Sequence, residues 1–232
     1  MTRLTLIRHG QTPANVLGLL DTDAPGPGLT DLGLAQAAAL PRLLVDSPID
    51  RVYVSRLVRT HFTARPLAND RAYDLVELPG VHEVEAGSLE KRGDEAAVRR
   101  YMETAFAWGG GNLDARMPDG PDGYDFFGRY DADIERVVRE SQHPVIVSHG
   151  AAIRIWVAAR AKNIGPEFTA LHHLPNTGVV ELEGSPGDWR LLSWPNAPID
   201  DPDPVDREFG IAEAPATVVS TTGAVPTQPV RE

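Results

Sequence analysis

The first apolar segment of the chain ends abruptly in charged and polar residues. Leu4-Thr5-Leu6-Ile7 has the pattern of a buried strand, and Arg8-His9-Gly10-Gln11-Thr12 follows it directly. Open α/β sheets bind their ligands at the carboxyl ends of such strands. A guanidinium binds phosphate oxygens through paired hydrogen bonds, and a neutral imidazole beside it can attack phosphorus. The segment therefore predicts an anion site at the end of the first strand.

Strand-like and helix-like segments alternate along the first two thirds of the chain. We predict strands at 3–8, 50–54, 73–78 and 144–148, and helices at 31–45, 56–68 and 151–161. Thr30 is the expected N-cap of the first helix. A hairpin is predicted over 179–194, with Pro186-Gly187-Asp188 as its turn. This alternation indicates an α/β fold built on a layered sheet.

Two segments stand outside that alternation. The segment 90–124 contains a predicted helix at 94–108 followed by glycine- and proline-rich turns, and it is either a lid beside the ligand site or a surface decoration. After Pro195 the composition shifts to Asp, Pro, Val and Thr without periodicity. The sequence predicts one domain over 1–197, with a lid insertion at about 90–124, and an irregular tail over 198–232.

The composition restricts the classes of partner and compartment. The net charge of −11 argues against nucleic acid and anionic membranes as partners. The absence of cysteine excludes disulfide scaffolds, thiol chemistry and thiolate metal sites. No apolar run approaches the length of a membrane span, and the early first strand leaves no room for a signal peptide. We therefore expect a cytoplasmic protein that holds a small anionic substrate in a local basic pocket.

Two further segments place phosphate-compatible groups after predicted strands. Arg56 and Arg59 lie near the start of a predicted helix, where the alternative is a pair of solvated arginines. The segment 82–87 carries Glu83 and Glu85, and a carboxyl group is the natural proton donor to a leaving oxygen. Acidic loop residues that are simply solvated remain the alternative.

A second imidazole follows the fourth strand in Ser148-His149-Gly150, where it is suited to donate a hydrogen bond to a phosphoryl oxygen. A structural histidine is the alternative, and two His-Gly pairs also raise the question of a metal site. We expect no metal, because Arg8 beside His9 would repel a cation. The sequence has no Gly-x-Ser-x-Gly elbow, which argues against a Ser-His-Asp hydrolase. It also has no Gly-x-x-x-x-Gly-Lys loop, which argues against the usual nucleotide hydrolases.

In their order and spacing, these segments resemble the histidine phosphatase superfamily, also called phosphoglycerate mutase-like. The resemblance covers about 4–195. Within it, residues 120–129 match only weakly the segment that precedes the next helix in the family. It rests on Arg8-His9-Gly10-Gln11-Thr12 with Asn15, Leu29-Thr30-x-x-Gly33-x-x-Gln36-Ala37, Ser55-x-Leu57-x-Arg59-Thr60-x-x-Thr63-Ala64, Glu83 with Gly87, and Ser148-His149-Gly150. It implies a three-layer α/β/α sandwich with a mostly parallel central sheet and a helical lid insertion.

The resemblance also implies roles for individual residues. His9 would be the nucleophile that becomes phosphorylated, and Glu83 would protonate the leaving oxygen and then help to deprotonate water. The phosphoryl group would be held by Arg8, Arg59 and His149, with Asn15, Gln11, Thr12 and Gly150 as further substrate-binding residues. For the phosphatase branch of the family, the resemblance implies that neither a metal nor another cofactor is needed, and it is compatible with a homodimer.

Departures from the family pattern favour a phosphatase over a mutase. Gln11 and Ala14 stand where mutases tend to carry Glu and Trp, and no Arg-His-Tyr-Gly segment follows the acid loop. Gly87-Ser88-Leu89-Glu90-Lys91 replaces the usual aromatic residue and Glu-Gly, which leaves Glu85 as the alternative acid. The sequence therefore predicts a metal-independent phosphomonoesterase acting through a phosphohistidine. The alternatives are a cofactor-dependent phosphoglycerate mutase and a non-catalytic phospho-ligand or partner-binding protein.

The substrate itself is not readable from the sequence beyond a small phosphorylated molecule. Seven residues are candidates for lining the entrance to the site, and most of them carry a positive charge or an imidazole: Arg56, His61, His82, Arg92, Arg99, Arg100 and Trp108.

Overall fold

The computed structural model describes residues 1–197, and in that range one sheet of six strands runs through the centre of the fold. The strands are β1 Thr2–Arg8, β2 Arg51–Ser55, β3 Leu75–Leu78, β4 Pro144–Ser148, β5 Val179–Ser185 and β6 Asp188–Ser193. Their order across the sheet is β3-β2-β4-β1-β5-β6. The first four are parallel, while β5 runs antiparallel to β1 and forms a hairpin with β6.

Seven α-helices of the described range surround the sheet. They are α1 Pro13–Leu17, α2 Asp31–Leu43, α3 Val58–Asp70, α4 Glu95–Gly109, α5 Gly123–Glu140, α6 Gly150–Arg160 and α7 Pro166–Leu171. Thr30 caps α2 by accepting a hydrogen bond from the backbone of Gly33, as predicted. None of the helices in 1–197 is long and apolar enough to cross a membrane.

The two faces of the sheet bury separate apolar clusters, because successive strand side chains point to opposite faces. On one face Ile7, Val52 and Val54 pack with Leu40 of α2 and Leu67 of α3. The opposite face carries the larger cluster, formed by strand residues with the apolar faces of α4, α5 and α6. The predicted three-layer sandwich with a mostly parallel sheet is confirmed.

The structure differs from the predicted elements at several boundaries. Helix α3 begins at Val58 and continues through Pro66 to Asp70, so Arg56 precedes the helix in which it was expected, whereas Arg59 lies in its first turn. Strand β3 begins at Leu75, two residues later than predicted. The short helices α1 and α7, with five and six residues, give too little periodicity to be recognised from sequence.

Helix α5 is the longest helix of the described range, with 18 residues, and the sequence analysis did not predict it. Its signals are present in the sequence. Asp122 and Asp125 form a reciprocal capping box, and Phe126, Tyr130 and Ile134 recur at a helical spacing along its buried face. The glycine and proline residues directly before it are typical of turns and obscure this pattern.

The insertion at 90–124 is part of the core, so the surface-decoration alternative is wrong. Helix α4 buries Ala97, Tyr101, Ala105 and Trp108. Trp108 is fully buried and donates its ring N–H to the carbonyl oxygen of Ala115 at 2.6 Å, so its expected place at the entrance is wrong. The predicted tail at 198–232 lies outside the described residues, and the domain boundary at 197 stays a prediction.

Candidate active site

The centre of the site forms where two neighbouring parallel strands end. Arg8 of β1 lies opposite Ser148 of β4 in the register of the sheet. The next residue of each strand is a histidine, and the rings of His9 and His149 lie with their centroids 5.2 Å apart. Two histidines separated by 140 positions of sequence therefore meet because both strands carry a His-Gly pair at the same edge.

The orientation of His9 leaves one ring nitrogen free to act as a nucleophile. Its Nδ1 lies 2.7 Å from the carbonyl oxygen of Gly10, which can only accept, so Nδ1 carries the hydrogen and Nε2 keeps its lone pair. Burial, together with the charges of Arg59 and Arg8, lowers the pKa of His9 well below 6.5. The ring is therefore neutral and nucleophilic at neutral pH.

His149 is held in the complementary state. Its Nε2 lies 2.7 Å from the hydroxyl oxygen of Ser55, and the hydroxyl of Thr60 donates to backbone carbonyls, leaving the Ser55 hydrogen for His149. With Nε2 accepting that hydrogen, Nδ1 of His149 carries the ring proton. This Nδ1 is buried and has no hydrogen-bond partner within 1–197. Burial lowers the pKa of His149 well below 6.5.

The two arginines present further buried donors to the same space. Arg8 donates from Nη1 to the carbonyl oxygen of Leu174 at 2.7 Å, and Arg59 donates from Nη2 to that of Asp21 at 2.9 Å. Arg8 Nε, Arg59 Nε and Arg59 Nη1 are buried without a hydrogen-bond partner in the described part of the chain. Each unpaired buried donor costs about 1–3 kcal/mol. Together with His149 Nδ1, these groups make a site that is completed by an anion.

Glu83 is oriented by the start of α6. Its Oε1 accepts from the backbone N–H of Ala152 at 2.8 Å, and its Oε2 accepts from that of Ala151 at 3.3 Å. These first N–H groups of a helix have no partner within the helix, which makes them suitable anchors for a carboxylate. The carboxyl group lines the same cavity as His9.

Glu85, the alternative acid, points into a different environment. Its carboxylate contacts His82 Nε2 at 2.6 Å and Arg129 Nη2 at 3.1 Å, and it does not line the cavity. Burial alone would raise the pKa of Glu85, but the hydrogen bond from His82 and the charge of Arg129 outweigh burial and lower it to about 2. A carboxyl group this acidic is a poor proton donor. Glu83 lines the cavity with His9 and Glu85 does not, so the geometry favours Glu83 as the acid.

Arg8, His9, Arg59 and Glu83 line a cavity of about 420 Å³, a volume that includes its solvent-filled mouth. His149 lies behind this lining, with its ring 5.2 Å from that of His9. The lining residues all lie between positions 8 and 101 of the described sequence: Arg8, His9, Thr12, Asn15, Leu19, Leu20, Asp21, Thr22, Arg59, Glu83 and Tyr101. Tyr101 is the contribution of the insertion helix α4 to this lining.

The remaining expected substrate-binding residues differ in their distance from the cavity. Thr12 and Asn15 line it, and the side-chain oxygen of Asn15 accepts from the backbone of Thr12 and from Asn176 Nδ2, each at 3.1 Å. Gln11 and Gly150 lie outside the lining. Gln11 accepts a hydrogen bond from Thr30, and a Cβ at Gly150 would lie 3.0 Å from the Nε of Arg8.

Sequence reasoning missed Asn176, Tyr101 and the support role of Ser55. Asn176 donates to the backbone oxygen of His9 at 3.0 Å as well as to Asn15. Asn176 and Tyr101 reach the site through tertiary packing and belong to no pattern around a strand end. No local signal could have found Asn176 or Tyr101, whereas Ser55 directly follows a predicted strand.

The seven expected entrance residues do not line the cavity. Arg92 and Arg99 are exposed and pair with Asp94 and Glu95. His61 contacts the backbone oxygen of Ser55 at 2.9 Å. Within 1–197, no group of three or more His, Cys, Asp or Glu side chains is arranged to hold a metal ion.

The sheet order, the flanking helices and the paired histidines at the strand ends define the phosphoglycerate mutase-like α/β fold. The model of the histidine phosphatase superfamily (branch 1) matches residues 4–197, and the chain belongs to that superfamily. Family and relatives place it among the histidine-type phosphatases.

Among the relatives, PE-PGRS family protein PE_PGRS11 of Mycobacterium tuberculosis is 34% identical over 214 residues, or 84% of this chain but only 37% of that longer protein. The adenosylcobalamin/alpha-ribazole phosphatase of Salmonella typhimurium is 35% identical over 67% of this chain and 78% of its own length. The solved mycobacterial glucosyl-3-phosphoglycerate phosphatase in complex with VO3 superposes with a TM-score of 0.69 at 25% identity, covering 84% of this chain and 98% of that one.

Proposed function

We propose that this chain is a metal-independent phosphomonoesterase that works through a phosphohistidine at His9. The observation that carries the proposal is the set of buried donors around His9 without a hydrogen-bond partner within 1–197: Arg8 and Arg59 line one cavity with His9, and the ring of His149 lies 5.2 Å from that of His9. Phosphoryl transfer needs in-line positioning and neutralised oxygens more than elaborate chemistry. Two guanidiniums and one imidazole N–H supply that neutralisation without a metal ion.

The first half-reaction transfers the phosphoryl group to the enzyme. Nε2 of His9 attacks phosphorus, the bond from phosphorus to the ester oxygen breaks, and Glu83 in its protonated form gives that oxygen its proton as the alcohol leaves. Arg8, Arg59 and His149 bind the three non-bridging oxygens, on which negative charge is spread in the transition state.

The second half-reaction restores His9. A water molecule enters where the alcohol left, the Glu83 carboxylate accepts a proton from it, and the oxygen attacks phosphorus so that the bond to Nε2 breaks. Inorganic phosphate leaves, Glu83 is again protonated, and His9 is again neutral. The lowered pKa of His9 supports this cycle, because it keeps Nε2 of the free enzyme unprotonated for attack and makes the imidazole a better leaving group from phosphorus.

A small phosphorylated metabolite is the substrate class that we propose. The relatives named for alpha-ribazole and glucosyl-3-phosphoglycerate support this class. The chain spans only 37% of the length of PE_PGRS11, so we propose nothing for this chain from the activity or partners of that longer protein.

The test is a hydrolysis screen in the presence of EDTA with p-nitrophenyl phosphate, sugar phosphates, 3-phosphoglycerate and nucleotides. The same samples are assayed for isomerisation of phosphoglycerate with and without 2,3-bisphosphoglycerate. We expect phosphate release that is insensitive to EDTA and lost in His9→Ala. Isomerisation without release would instead identify a mutase, and tight phosphate binding without turnover in either form would identify a binding protein.

A further inference from the structure

The segment that carries Glu83 is held by side chains along its whole length. Between β3 and the 3₁₀ turn at Gly87–Leu89 no regular element pairs its backbone. Every carbonyl oxygen from 79 to 84 nevertheless accepts a hydrogen bond from a side chain. The donors are His82 to Pro79, Arg129 to Gly80, His82 and Glu83, Ser148 to Val81, and Tyr101 to Val84.

Arg129 of α5 makes the largest share of these contacts. Nη1 donates to the carbonyl oxygens of Gly80 and of His82, the latter at 2.9 Å. Nη2 donates to the carbonyl oxygen of Glu83 at 2.7 Å and to the carboxylate of Glu85 at 3.1 Å. One guanidinium thus binds four acceptors within six consecutive residues.

The surroundings of Arg129 fix the guanidinium itself. It lies over the ring of Phe126 at 5.1 Å from the centroid, and its side chain is 17% exposed. One turn further along α5, Asp133 accepts a hydrogen bond from the backbone N–H of Gly80. Arg129 and Asp133 of α5 therefore bind both the carbonyl and the N–H of Gly80. Gly80 lies near the start of the segment 79–86 that carries Glu83, which we call the acid-bearing segment.

From these contacts we infer that Arg129 is a positioning residue for the general acid: it fixes the backbone of Glu83 so that the carboxyl group meets the leaving oxygen. Arg129 does not line the cavity, so it acts on the substrate only through Glu83. A glutamate side chain rotates about three bonds, and a displacement of about 1 Å at a reacting group costs on the order of a hundredfold in rate. The inference rests on the proposed role of Glu83.

The shape of the side chain explains why an arginine occupies this position. A guanidinium presents five N–H donors in a rigid planar fork, whereas a lysine ammonium is a point charge at the end of a flexible stem. Lysine at 129 would keep the charge beside Glu85 but would reach only part of the set of carbonyls. Charge and positioning are therefore separable by substitution.

The experiment compares an aryl with an alkyl phosphate, because only the poorer alkoxide leaving group depends strongly on the acid. Wild type, Arg129→Gln, Arg129→Lys and Glu83→Gln are assayed with p-nitrophenyl phosphate and with glycerol 2-phosphate. The quantity measured is kcat/KM, which reports the reaction up to release of the alcohol.

Arg160→Gln is the matched control. Arg160 also lies over a phenylalanine of α5, with its guanidinium 4.3 Å from the centroid of Phe127, and it also pairs with a carboxylate, that of Asp131 at 2.6 Å. It makes no contact with the acid-bearing segment in the hydrogen bonds of the described residues. Loss of packing and of an ion pair is therefore similar in the two variants.

We expect Arg129→Gln to lower kcat/KM for the alkyl phosphate about tenfold or more, and for the aryl phosphate less than about threefold. Arg129→Lys shows a smaller split in the same direction, and Arg160→Gln keeps the wild-type ratio of the two substrates. Added to Glu83→Gln, Arg129→Gln produces little further loss on the alkyl phosphate, because both changes remove the same step.

An equal loss on both substrates in Arg129→Gln and Arg129→Lys, with the split retained in Glu83→Gln, would overturn the inference. Multiplicative losses in the double variant would also overturn it. The failure of the proposed function looks different: wild type would then hydrolyse neither substrate. If Arg129→Gln fails to fold, the lysine variant supplies the comparison.

Discussion

The phosphate-binding side of the site and its acid-bearing side are built in different ways. Arg8, His9, Arg59 and His149 follow directly from β1, β4 and the first turn of α3, so the register of regular elements brings them together. Glu83 lies on an irregular segment that side chains of α4, α5 and β4 hold in place. One side is positioned by backbone pairing, and the other by long-range side-chain contacts.

Because the two sides are built differently, we expect substitutions on them to affect activity in different ways. On the phosphate-binding side, a change removes charge or the nucleophile and affects every phosphate monoester alike. On the acid-bearing side, a change alters how the leaving oxygen receives its proton, so the effect depends on the leaving group.

The largest effect is expected from His9→Ala. Removing the nucleophile abolishes covalent phosphorylation and lowers kcat/KM at least ~10³-fold for aryl and alkyl phosphates alike. Steady-state hydrolysis under EDTA measures it. His143→Ala is the control. His143 lies before the first residue of β4, at the end of the strand away from the site, and it does not line the cavity, so we expect this variant to keep wild-type activity. Substantial turnover in His9→Ala would mean that the nucleophile lies elsewhere.

Arg59→Gln comes next in size. It removes two buried donors, without a hydrogen-bond partner among the described residues, from a residue that lines the cavity, and we expect kcat/KM to fall about 10²–10³-fold equally on both substrate types. Arg56→Gln is matched to it, because Arg56 lies three positions earlier but is exposed and outside the cavity lining. Comparable losses in the two variants, or a loss confined to alkyl phosphates in Arg59→Gln, would break the division between the two sides.

Glu83→Gln is expected to act selectively. The alkyl phosphate loses ~10²-fold in kcat/KM, because its leaving oxygen needs the proton, and the aryl phosphate loses much less. Glu85→Gln tests the assignment of the acid, since Glu85 lies beside His82 and Arg129 and away from the cavity. If Glu85→Gln shows the selective loss and Glu83→Gln does not, Glu85 is the acid.

The smallest effect concerns stability. The pKa of Glu85 is lowered to about 2 in the folded protein, so its ion pairs stabilise the fold above the usual pKa near 4.5 and cease to do so as the pH falls towards 2. Because a third of the side chain is exposed, we expect about 1 kcal/mol. Urea unfolding measures the gap between wild type and Glu85→Gln, which closes from pH 5 to pH 2. A gap that is independent of pH would contradict this.

The same division explains how far the sequence could be read. The strand ends at the site can be recognised from local sequence, because an apolar run followed by Arg-His-Gly or Ser-His-Gly is typical of a parallel strand that ends at a ligand site. The sheet, its parallel strands and the family were therefore predictable. The C-terminal end of α3 was less predictable. A proline usually marks the end of a helix, but Pro66 lies inside this one.

The acid-bearing side could not be read in this way. Arg129 and Tyr101 reach residues 46 and 17 positions away from them in the chain, and their contacts depend on how α4 and α5 pack. Sequence alone therefore left Glu83 and Glu85 as alternatives. It also placed Trp108 at the entrance, because an aromatic residue on an insertion helix suits a core and a cavity wall equally well.

The most direct test of the account is to trap the phosphoryl-enzyme. Wild-type protein is mixed with p-nitrophenyl phosphate, quenched at alkaline pH, where phosphohistidine survives, and digested for mass spectrometry. The account predicts a phosphoryl adduct on His9 that forms with the burst of p-nitrophenol and persists longer in Glu83→Gln. A burst with the adduct on another residue, or sustained turnover with no adduct on His9, would contradict it.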